Sequence, residues 1–142
     1  MAINKVHQRV KQFVVETERK LKTVNEFVGE TFVKNARQSV TDSVYNRKPD
    51  RQPWELTGNL RNSIGYGVRS QQSVSILDGG GEGGNNAKHA INEADVNDNA
   101  LIMVAGMSYA GAVEARGYDV ISNSVNIAID QHKSLIKKSL RV

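Results

Sequence analysis

The chain has 142 residues, no cysteine, a net charge of +4 at neutral pH, 39% hydrophobic and 6% aromatic residues. That is one domain's worth of chain, 1–142, with enough apolar content for its own core and no disulfide or thiolate metal site. The charge is uneven: residues 1–48 hold ten Lys/Arg against five Asp/Glu, residues 49–121 five against nine, and residues 122–142 four against one.

The first ten residues carry charges every few positions and no apolar h-region, which is not a signal-peptide pattern. No apolar run approaches the roughly 20 residues that span a bilayer, so no membrane association is expected. Residues 4–45 read as one long helix. Val6, Val10, Phe13, Thr17, Leu21, Val24, Val28, Phe32, Ala36 and Val40 recur at steps of three and four, the period of a helix with one apolar stripe. Gly29 is its weak point. Unbroken, the helix is about 60 Å long at 1.5 Å per residue. A globule of this size has a radius of gyration of only about 14–15 Å. The helix therefore either kinks near Gly29 and folds back, or projects with an apolar stripe that a partner must cover.

Asn46 to Pro53 contains both prolines and reads as a loop. A short helix follows, with Thr57 as its N-cap, Gly58 in its first turn, and Leu56, Leu60 and Ile64 on one side. Gly65–Val68 and Ser73–Leu77 read as strands. Residues 78–99 are rich in Gly, Asn and acidic residues and are expected to form a flexible loop. Ala100–Ala105 is a buried strand, Tyr109–Arg116 a short helix stopped by Gly117, and Tyr118–Ile121 a last strand. Ser122 or Ser124 caps a C-terminal helix with Val125, Ile129, Ile136 and Leu140 as its stripe. Lys133, Lys137, Lys138 and Arg141 suit the negative end of its dipole. The expected fold is α+β: a long N-terminal helix and a C-terminal helix packed on a small, mainly antiparallel sheet.

Catalytic and cofactor chemistry is not indicated. His7 and His132 fall in basic helical segments that read as exposed. His89 and Glu93 have i,i+4 spacing but no third ligand for a metal. No Gly-x-Ser-x-Gly elbow occurs. The glycine run at 79–84 lacks the Gly-Lys-Ser/Thr ending of a phosphate loop. Basic segments without an aromatic ladder leave phosphate contact open but do not indicate base stacking.

Two stretches carry a family pattern. One runs Trp54-Glu55-Leu56-Thr57-Gly58-Asn59-Leu60-Arg61-Asn62-Ser63-Ile64. The other runs Tyr109-Ala110-Gly111-Ala112-Val113-Glu114-Ala115-Arg116-Gly117. In this order, between a long N-terminal helix and a C-terminal helix, they resemble the tail-component or neck proteins of long-tailed bacteriophages. Arg116 is one residue more than the family's second segment carries before its glycine, and Pro53-Trp54 stands where a Pro-Gly is often found.

The resemblance implies a non-catalytic virion protein of the head–tail connector or a tail-completion ring, made in the host cytoplasm. It implies a homo-oligomeric ring and/or contacts with other connector and tail proteins, in proximity to DNA. The candidate interaction residues are Thr57, Gly58, Leu60, Arg61, Tyr109 and Glu114, with Phe13 and Leu21 on the long helix. The Arg61 guanidinium can fork onto a carboxylate, with Glu114 as the candidate partner, so that the two motifs would brace one another. A basic nucleic-acid-binding module and an assembly factor absent from the finished particle are the rival readings.

Overall fold

The computed structural model describes residues 2–42, 58–69, 74–77, 80–108, 110–115, 117 and 119–140. Its first helix, α1 (Ala2–Val40), is unbroken, and Thr41 and Asp42 continue it as a π turn. Gly29 does not kink it. A Cβ there would collide with Cδ2 and Cγ of the Tyr66 ring, so the missing side chain lets the ring lie against the helix backbone. Burial, together with the carboxylates of Glu30 and Glu26, raises the Tyr66 hydroxyl above the ordinary phenol range, and the hydroxyl also bonds Glu30.

The remaining elements are α2 (Asn59–Asn62), β1 (Ile64–Arg69), β2 (Val74–Leu77), α3 (Gly81–Glu93), β3 (Leu101–Ala105), α4 (Ala110–Ala115) and α5 (Ser122–Ser139). The strands form one antiparallel sheet in the order β2-β1-β3, with Tyr66 opposite Leu77 on one side and Met103 on the other. Alternation along β1 turns Ile64, Tyr66 and Val68 toward α1. There they join Val24, Val28, Phe32, Ala36 and Val40 in the core. Gly65 and Gly67 take the opposite face, on the side where α3 packs. The architecture is α+β, as the periodicities led one to expect.

Helix α5 lies mainly along α1. Ser39 Oγ donates to Asp119 Oδ2 at 2.7 Å near one end, and His132 Nε2 meets Asn25 Oδ1 at 2.7 Å further along. Residue numbers rise on one helix as they fall on the other, so the pair is antiparallel. The end of α5 is therefore level with about residue 18 of α1, counting one residue per 1.5 Å on each helix.

Two expectations are corrected. The segment 78–99 is not a structureless loop: Gly81–Glu93 is helix α3, with Gly83, Gly84, Ala87 and Ile91 buried. The glycines read as flexible composition are packing residues. A Cβ on Gly83 would fall on the carbonyl oxygen of Asn59 and the backbone nitrogen of Ser63, so α3 can touch α2 only without one. The last strand expected over Tyr118–Ile121 is also absent from the described part of that segment, where Asp119–Ile121 form a bend leading into α5.

Candidate interaction surface

The apolar stripe of α1 divides in two. From Val24 to Val40 it is core, and Phe32 is 1% exposed. Residues 3–16 are all exposed, and Phe13 stands 65% in solvent with Ile3, Val6, Val10 and Val14 beside it. At about 100° per residue these five fall in the same sector as Leu21, Val24 and Val28. The core face thus continues past the domain for about 20 Å of helix. The cause is the length of its cover. Antiparallel α5 ends near the level of residue 18, and Leu21 is half-buried at that boundary. A contiguous apolar face of this kind is a common mark of an interaction site.

The two motif segments sit on the other side of the core. Gly58 is the N-cap residue of α2 with φ of +73°, a left-handed conformation that glycine adopts without strain. Its Cβ would meet no backbone, so its role is the turn and not the close approach expected of it. Thr57 and Tyr109 lie outside the described residues. Leu60 is fully buried.

Glu114 is not the partner of Arg61. Its Oε1 accepts the backbone N–H groups of Val120, Ile121 and Ser122 at 3.2, 2.7 and 2.9 Å, and its Oε2 accepts the Ser122 hydroxyl at 2.5 Å. Those amides open α5, whose own N-cap residue, Ile121, has no side chain that can cap. Glu114 therefore caps α5 from α4, and Asp119 Oδ1 accepts the next amide, that of Asn123, at 3.1 Å. A carboxylate at a helix N-terminus also suits the dipole.

One polar cluster was not legible from spacing. Asn25 is 1% exposed; its Nδ2 donates to the carbonyl of Asn99 at 2.7 Å and its Oδ1 meets His132 Nε2. Since that oxygen accepts, His132 carries its proton on Nε2. His132 is thus a half-buried tie between α5 and α1, not the solvated helix residue expected. The one available signal was an asparagine at a core position of the α1 stripe, between Leu21 and Val28.

His7 is exposed on α1, and His89 and Glu93 are exposed on α3. Among the described residues no group of three or more His, Asp or Glu comes together to hold a metal. No helix among them is long and apolar enough to cross a membrane. An open groove along the end of α5 is lined by His132, Lys133, Ser134, Ile136, Lys137, Lys138 and Leu140. Comparison with family models, curated proteins and solved structures found no match.

Proposed function

We propose that this protein is a non-catalytic structural subunit that works inside a larger assembly, docking through the overhanging half of α1. The observation that supports this is the continuation of the core stripe, Ile3 through Val14, beyond the reach of α5. Left in water, each such side chain forgoes roughly 1.5–3 kcal/mol of burial. A neighbouring subunit recovers it.

The particular assembly we propose is the head–tail connector, or a tail-completion ring, of a tailed bacteriophage. That reading rests on the resemblance carried by the segments Trp54–Ile64 and Tyr109–Gly117, and on their order between a long first helix and a last one. Its partners are further copies of the chain in a ring and neighbouring connector or tail proteins. The test is composition of purified phage particles from cells expressing the chain. The 15.6-kDa chain should be present in stoichiometric amount, and a Phe13→Asp variant should fold yet be missing. Particles that are complete and infectious without the chain would contradict the proposal.

The cationic groove of Lys133, Lys137 and Lys138 favours a second reading, contact with nucleic-acid phosphates. Duplex DNA binding that weakens steeply with salt, and loses slope when these lysines are changed, would support it.

A further inference from the structure

We infer that the α1 overhang pairs antiparallel with the overhang of a second copy of this chain, with Arg9 of each helix beside Glu16 of the other. The inference rests on the reading of this surface as an assembly face, and it names the occupant. Ile3, Val6, Val10, Phe13 and Thr17 are spaced by 3, 4, 3 and 4 residues, the rhythm of a coiled-coil seam. On one flank of that seam lie Arg9 and Glu16; on the other lie His7, Val14 and Leu21. In a parallel pair, opposite flanks meet, and Arg9 and Glu16 would face Val14 and Leu21. In an antiparallel pair, like flanks meet. With Val10 of one helix opposite Phe13 of the other, Arg9 then stands beside Glu16, and two-fold symmetry makes that contact twice. Arg9 and Glu16 are both fully in the exposed stretch.

The internal segments outside the described residues do not compete for this face. Segment 43–57 leaves and rejoins the fold at the opposite end of α1, about 40 Å from Val14. Its span of at most ~50 Å cannot go out and return.

The test is sedimentation equilibrium of the full chain and three variants: Arg9→Glu, Glu16→Arg, and the double exchange Arg9→Glu/Glu16→Arg. Each single change sets two like-charge contacts across the pair and should weaken association by about tenfold. The double exchange should restore it, and mixing the two single variants should give a heterodimer tighter than either homodimer. Equal association of all three variants, or loss in the double exchange, would overturn the pairing. Circular dichroism controls the fold, which exposed positions should not disturb. A wild-type chain that stays monomeric in solution yet appears in purified particles overturns the pairing and leaves the structural role standing. A chain that passes the charge exchange but is absent from particles does the reverse.

Discussion

Glu114 directs both carboxylate oxygens at the first turn of α5, and this gives the residue a pH signature. Burial alone would raise its pKa, but the Ser122 hydroxyl and the amides of Ile121, Ser122 and Val120 outweigh burial and hold it below the ordinary value of 4.5. A folded-state pKa below the unfolded one adds stability that is fully present above 4.5. That stability is lost as pH falls through the lower folded-state value. Glu114→Gln should therefore cost about 1–2 kcal/mol near pH 7. The gap from wild type should close in acid, as read by urea denaturation at both pH values. A gap that widens in acid would refute the capping role. Gly29 makes a second residue-scale prediction. Alanine is the better helix former by roughly 1 kcal/mol, yet Gly29→Ala drives a methyl into the buried Tyr66 ring. The overpacking cost is about 1–3 kcal/mol and should dominate. The urea midpoint should fall with the slope unchanged, whereas a rise would show that the ring is not seated there.

Among the elements, α1 is one helix with two environments, and one substitution in each half separates them. Phe32→Asp places a charge in the core and should unfold the protein, since loss of a buried Phe alone costs about 3–5 kcal/mol. Phe13→Asp should leave the helical circular dichroism intact and change stability by no more than about 0.5 kcal/mol. Unfolding by Phe13→Asp would mean that this half of the stripe is core after all. The long helix, the three strands and α5 were legible because each repeats its apolar residues at the period of its own structure. What periodicity left open was whether α1 breaks; Tyr66 against Gly29 is a contact across 37 positions of sequence that no local pattern contains. Helix α3 was illegible for a similar reason. Gly83 lowers local helix propensity, and only the approach of Asn59 and Ser63 explains why glycine stands there. The Arg61–Glu114 pair was a reasonable match of charges, but a nearer claim on the carboxylate, three free amides at the start of α5, was not visible before the chain was folded.

Taken as a whole, the molecule is a compact α+β body with a helical arm. The arm has the chain's largest basic excess, ten cations to five anions over residues 1–48, and the body is acidic over residues 49–121. Apolar residues along one sector of the arm supply affinity, and charges beside them choose orientation and neighbour. The motifs that suggested a phage connector serve, where the structure describes them, to hold the body together: Leu60 fills the core, Gly58 turns the chain and Glu114 fixes α5. Contact with neighbours falls instead to the arm, at Phe13 and the residues around it. The most direct measurement is sedimentation velocity of the full chain over a wide concentration range, beside the Phe13→Asp variant. The account predicts a wild-type species larger than the 15.6-kDa monomer that grows with concentration, and a folded variant that remains monomeric throughout. A wild-type chain monomeric at every concentration, or a folded Phe13→Asp variant that associates as readily as wild type, would contradict it.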